Sequence, residues 1–121
     1  MNLLYSKQPT QRQLIIASSI QQVVSKAFVI QEIYHPNLED TMMVFPFVKI
    51  TADLKIATIY VDCLNKDKIK VVLEILKSLT TEIRKLIASK LQLKHAPTIG
   101  FIEDTITQKQ SNILKLIDNI S

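Results

Sequence analysis

Residues 66–94 read KDKIKVVLEILKSLTTEIRKLIASKLQLK, the longest periodic stretch of a 121-residue chain. Ile69, Val72, Leu76, Leu79, Ile83 and Leu86 recur at three and four residues, the spacing of one buried helical face. Lys66, Lys70, Lys77 and Arg84 recur at four and seven. At about 100° per residue they form a second stripe, roughly 120° round from the first, with Lys85 beside it. From Lys66 to His95 there are eight Lys/Arg and three Asp/Glu, a net of +5; the other residues hold seven and eight, a net of −1. The chain's formal +4 is therefore a property of this one segment. A charge run is most often a solubilising surface. A cationic helix face also suits the backbone of a nucleic acid.

The helix is not expected to be straight. At constant pitch Lys90 would land on the apolar face, and Thr80 and Thr81 stand together mid-segment. Adjacent β-branched residues whose hydroxyls bond to backbone bend a helix locally. A kink is expected near 79–82, giving two helices set at an angle.

Working outward, residues 1–9 form a tail ending at Pro9. Thr10 and Gln13 have the T-x-x-Q form of a capping box, so a helix is expected from Gln11 to about Glu32, with Ile16, Ile20, Val23, Val24, Ala27 and Phe28 on its apolar face. His35-Pro36-Asn37 ends it and opens a loop over 35–41. Met42 to Thr51 reads as one strand, with Pro46 marking an edge or a bulge. Ala52-Asp53 is a tight turn. Lys55 to Leu64 is a strand with Ala57, Ile59, Val61 and Cys63 on its inner face, and it pairs antiparallel with the strand before it. Downstream, Ala96-Pro97 breaks the long helix. Thr98 to Glu103 is a third strand containing Gly100, and 108–120 is a short amphipathic helix through Ile113, Leu116, Ile117 and Ile120. The fold class is α+β: one domain over 1–121, with helices on one face of a small mixed sheet and 105–121 as a helical extension.

Much chemistry is excluded. With one glycine, neither phosphate-cradling loop, G-x-x-x-x-G-K-[ST] or G-x-G-x-x-G, can be written. Cys63 is the only cysteine, so no internal disulfide forms and a reducing compartment fits. Cys63, His35 and His95 lack metal-ligand spacing. Cys63 reads as a core residue, both histidines as helix-end or loop residues, and Glu103-Asp104 as a turn or cap. Tyr60 and Phe101 read as packing residues before base-stacking ones. No catalytic constellation or cofactor motif is present, so no enzyme and no cofactor are expected. The start of the chain lacks a signal-peptide pattern and no run approaches 18 apolar residues, so a cytoplasmic protein without membrane contact is expected; a monomer is expected as well. A pI near 9.2 favours acidic partners, nucleic acid ahead of an anionic lipid surface.

Six short motifs, in order across residues 11–118, then resemble ribosome-binding factor A, a bacterial assembly factor of the small ribosomal subunit. His35-Pro36-Asn37-Leu38 looks like the family's D-P-R-L, and Val48-Lys49-Ile50-Thr51-Ala52-Asp53-Leu54 resembles its V-x-V-S-x-D-L. Ala57-Thr58-Ile59-Tyr60-Val61 is similar to A-x-V-Y-V. Ile83-Arg84 resembles I-R-x-x-L, with Leu86 one position before the motif's leucine; Leu91 with Leu93-Lys94 resembles L-x-L-R, and Pro97, Phe101 and Asp104 match P-x-L-x-F-x-x-D. The resemblance implies a type II KH-like fold whose RNA clamp is replaced by a helix–kink–helix carrying A-x-G. Here that position is Leu79-Thr80-Thr81, without the alanine or the glycine. It also implies a non-enzymatic factor that binds the immature small subunit and its ribosomal RNA in late maturation, alongside other assembly factors. On this reading Lys70, Lys77, Arg84, Lys85, Lys90 and Lys94 are candidate phosphate contacts, with Arg12 a further one. The rival reading is a protein-interaction module that uses the basic helix without touching RNA.

Overall fold

The computed structural model describes Tyr5 and residues 7–106. The helix expected over 108–120 lies outside the described residues. Helix α1 runs Gln11–Val29 and opens with the capping box: Thr10 Oγ1 accepts from the Gln13 N–H at 3.1 Å, and Gln13 Oε1 accepts from the Thr10 N–H at 2.9 Å. It stops short of Glu32. Ile30 leaves helical dihedrals, and Gln31 takes a left-handed φ of 60°. Pro36 lies beyond that end, opening a 3-10 turn, Pro36–Leu38, that His35 caps by accepting from the Asn37 N–H at 3.1 Å.

Four strands follow: β1 Met43–Val44, β2 Val48–Ile50, β3 Ile56–Cys63 and β4 Thr98–Glu103. The single strand expected over 42–51 is thus two. Val44 pairs with Asp62 and Val48 with Ile59, so three residues, Phe45-Pro46-Phe47, oppose two, Tyr60 and Val61. The extra residue is a bulge at the proline, which has no N–H to give to the ladder. Strand β3 is central, with β1 and β2 antiparallel along one edge and β4 parallel on the other. The turn between β2 and β3 is closed by Leu54 N–H to the Thr51 carbonyl at 2.8 Å, with Leu54 itself at φ 63°.

Helix α1 fastens the outer edge of the sheet. Gln13 Nε2 donates to the Ile50 carbonyl at 3.0 Å, Gln21 Nε2 donates to the Phe45 carbonyl at 2.9 Å, and the Ile50 N–H donates to the Tyr5 hydroxyl at 3.1 Å. Backbone groups that an open edge would leave bare are thereby satisfied. Gln13 is buried and serves both the cap and the edge.

After a 3-10 turn, Lys66–Lys68, come α2, Ile69–Ser78, and α3, Thr80–Leu91, which meet at Leu79 (φ −95°, ψ 4°). Thr80 Oγ1 donates to the Lys77 carbonyl at 2.7 Å and Ser78 Oγ to the Ile75 carbonyl at 2.6 Å, drawing carbonyls away from the helical ladder at the break. Ile69, Val72, Ile75, Leu76, Leu79, Ile83 and Ile87 are buried, and Leu86 only partly. Past the break Ile83 and Ile87 are buried, and the unbroken pattern, which continues to Leu86, misses the second. Nor does Pro97 end α3. The helix stops at Leu91 with Gln92 left-handed at φ 53°, and the Leu93 N–H reaches back to the Ala88 carbonyl at 3.0 Å, a left-handed helix stop built without glycine.

The three helices cover one face of the sheet, α1 against β2 and α3, α2 against β3 and β4. The inward side chains of β3, Ala57, Ile59, Val61 and Cys63, are all buried, as are Ile99 and Phe101 of β4. Cys63 donates through Sγ to the Asn65 carbonyl at 2.9 Å, and burial raises its thiol pKa, so it is a core residue and not a nucleophile.

Candidate nucleic-acid interface

The α2–α3 pair buries its apolar side and turns its cations outward. Lys70, Lys77, Lys85, Lys90 and Lys94 are exposed, as is Arg12 at the start of α1. The stripe is not purely positive. Glu74 lies four residues after Lys70 and three before Lys77, on the same helical face, and it is exposed, as is Glu82 in the first turn of α3. Lys90 lies in the last turn of α3 beyond the break, and its Nζ stands 3.6 Å from Glu32. Such a surface pair is worth about 0–1 kcal/mol, so an incoming phosphate can displace it.

Arg84 differs from the rest. The stripe placed it facing solvent, but it is half-buried; Nε donates to the Pro97 carbonyl at 3.0 Å and Nη2 to the Ala96 carbonyl at 3.2 Å. Its planar fork spans two successive carbonyls, which a lysine cannot do. Arg84 thus ties α3 to the connection leading into β4. At the helix break Leu79 is buried, Thr80 partly buried and Thr81 exposed. The break therefore presents a threonine to solvent.

The candidate cations are not one patch. Lys70 follows the C-terminal end of β3, whereas Lys94 lies beside Lys55 and Thr98, where β3 and β4 begin. Those ends of an eight-residue strand are on the order of 25 Å apart. At the β3 start the fold joins residues far apart in sequence. A cleft of about 530 Å³ is lined by Arg12 and Ile16 of α1, by Ile50, Asp53, Leu54 and Lys55 around the β2–β3 turn, and by Leu93 to Thr98. Arg12 and Lys94 thereby line one cleft, together with Lys55 and His95, which the linear pattern did not single out. No local signal marks that grouping, because its members come from three separate segments. Asp53 also lines the cleft. The Thr51 hydroxyl donates to its Oδ1 at 2.6 Å and the Lys55 N–H at 3.1 Å, and these bonds hold its carboxyl below the usual 3.8.

A second concavity, of about 550 Å³, lies between the end of α1 and β1, and exposed Val29, Tyr34, Met42 and Val44 are among its walls. The two strand aromatics pack: Phe101 is buried, and Tyr60 meets Phe47 edge-on with ring centres 6.4 Å apart. Asp104 is a cap, its Oδ1 accepting from the Ile106 N–H at 3.0 Å. Among the described residues no cluster of His, Cys, Asp and Glu is suited to a metal ion, and no helix is long and apolar enough to cross a membrane.

Comparison with known proteins places this arrangement. The family model described as ribosome-binding factor A matches residues 12–117. Ribosome-binding factor A of Pelagibacter ubique is 34% identical over 111 residues, covering 92% of this chain and 91% of the relative. The solution structure of a Thermotoga maritima protein superposes with a TM-score of 0.70 at 31% identity, covering 84% of this chain and 94% of that one. A Thermus thermophilus ribosome binding factor A, fitted as a homology model into the electron cryomicroscopy map of a 30S complex, has a TM-score of 0.56 at 15% identity, covering 71% and 88%; that likeness is one of fold alone. The matched family model and the relative aligned over nearly its whole length together show that this chain belongs to the ribosome-binding factor A family.

Proposed function

We propose that this chain is a non-enzymatic assembly factor that binds the immature small ribosomal subunit and its ribosomal RNA during late maturation. Family membership supports subunit binding. The observation in this chain that carries the RNA reading is the sidedness of the helix pair. Its net +5 segment buries its apolar residues and leaves Lys70, Lys77, Lys85, Lys90 and Lys94 exposed. Such lysines position a protein on phosphates, while RNA shape and unpaired elements supply specificity. We assign Arg84 to holding the 96–97 segment, not to a phosphate. The element order, with β3 and β4 parallel across a broken helix pair, supports a type II KH-like fold in which Leu79-Thr80-Thr81 occupies the place of the clamp. The same reading makes the protein a cytoplasmic monomer.

Co-sedimentation with purified small subunits across a salt series tests it. With about four cations on single-stranded phosphates, log affinity falls with log salt at a slope of about −3. A flat profile overturns phosphate binding. It would favour the second reading, a protein-interaction module that uses the exposed basic helix without touching RNA.

A further inference from the structure

We propose that the cleft at the β3 start holds a single unpaired nucleotide of RNA, its base between Leu54 and Leu93 and its flanking phosphates on Arg12, Lys55 and Lys94. This rests on the RNA-binding reading above and names the chemistry of one part of that surface. Four observations converge on it. The volume, about 530 Å³, falls within the roughly 300–1,000 Å³ of pockets that take small ligands. The walls are apolar, from half-buried Ile16, Leu54 and Leu93 and buried Pro97, while Arg12, Lys55 and Lys94 are exposed around them. This is the division a nucleotide has, a flat base that leaves water and phosphates that seek cations.

Charge and backbone agree. The one carboxylate at the cleft, Asp53, is already engaged by Thr51 and the Lys55 N–H, so the three cations dominate the rim. Backbone strain also gathers here. Leu54 at φ 63° and Gln92 at φ 53° are two of the three non-glycine residues with left-handed backbone among those described, and each sets one leucine wall, Leu54 directly and Leu93 as the next residue. The β2–β3 turn and the left-handed stop of α3 thus bring one leucine each to the lining of the cleft. Arg84 completes the construction from behind, holding the carbonyls of Ala96 and Pro97 in the wall. A paired base keeps its edges within the duplex and cannot enter; an unstacked one can be splayed out and inserted.

The test is an amide NMR titration of the full chain with two four-nucleotide RNA probes, one bearing a single adenine among abasic positions and one wholly abasic. The proposal expects shifts centred on Leu54, Leu93 and Lys94, and at least tenfold weaker binding of the abasic probe. Leu54→Gly, which also removes the strained side chain, should bring the adenine probe down to the abasic level. Arg12→Gln with Lys94→Gln should weaken both probes at least tenfold, with melts confirming that each variant is folded. Equal affinity for the two probes overturns the nucleotide assignment. Shifts confined to Lys70, Lys77 and Lys85 overturn the cleft but leave subunit binding standing. Failure of the parent protein to bind small subunits at any salt removes the underlying reading as well.

Discussion

Arg84→Ala separates two roles that the sequence alone confuses. A phosphate contact on an exposed stripe can be removed with little effect on stability, typically within about 0.5 kcal/mol. A brace cannot. Arg84 makes two hydrogen bonds from a charged donor, 3.0 Å to Pro97 and 3.2 Å to Ala96. Bonds to charged groups contribute about 1.5–3 kcal/mol each when buried, and half-burial lowers the pair to about 2–3 kcal/mol together. For a chain of 121 residues about 1 kcal/mol corresponds to roughly 4 °C, so the melt should fall by about 8–12 °C. Arg84→Lys keeps the charge but cannot span both carbonyls, and should lose about half as much. The assay is a thermal melt of each variant by circular dichroism, paired with subunit binding measured well below the transition. A melt unchanged in both variants, with binding lost in Arg84→Ala and kept in Arg84→Lys, would refute the brace and return Arg84 to the phosphate surface.

Other perturbations follow from the same geometry. Leu79→Ala, at the buried break between α2 and α3, should cost about 2–5 kcal/mol, read as a lower denaturant midpoint at constant slope. Gln92→Gly should stabilise by about 0.5–1 kcal/mol, because relief of the left-handed penalty of roughly 1–2 kcal/mol exceeds the added chain entropy; a lower melting temperature would contradict this. Asp53 has its carboxyl pKa depressed in the fold, so its contribution is complete above 3.8 and is lost as pH falls through the lower folded value. Melts of the parent and Asp53→Asn should therefore differ most above pH 3.8 and converge in stronger acid; a gap that widens in acid would reverse the sign.

What the sequence makes legible here is local. Period-two burial along β3, the Thr10–Gln13 box and the stripe from Ile69 to Ile83 each follow from residues within a turn or two of one another, and all are present in the fold. The misplaced ends of α1 and α3 have one cause. Left-handed stops normally announce themselves as glycine, and this chain, with a single glycine elsewhere, uses Gln31 and Gln92. Prolines nearby then attracted the boundary. The split of the first strand was half visible, since Pro46 signals a bulge but not that β1 and β2 pair separately. Long-range partners were not visible at all. Arg84 finds its carbonyls only because α3 ends at Leu91 and the chain turns at Gln92. Gln13 reaches Ile50 across the fold, and Arg12, Lys55 and Lys94 line one cleft only once the sheet has brought three segments to one end. A helical wheel also draws Lys70 and Lys77 without weighing Glu74 between them.

The central claim is that exposed cations of the α2–α3 pair hold this protein on the small ribosomal subunit. Its most direct test is co-sedimentation of Lys77→Glu/Lys85→Glu with small subunits, beside Lys26→Glu, an exposed charge reversal on α1. Both variants should melt like the parent, because none of these side chains packs in the core. The double reversal should leave the subunit fraction at low salt while Lys26→Glu remains bound. Equal retention of both variants, with the parent bound, would contradict it.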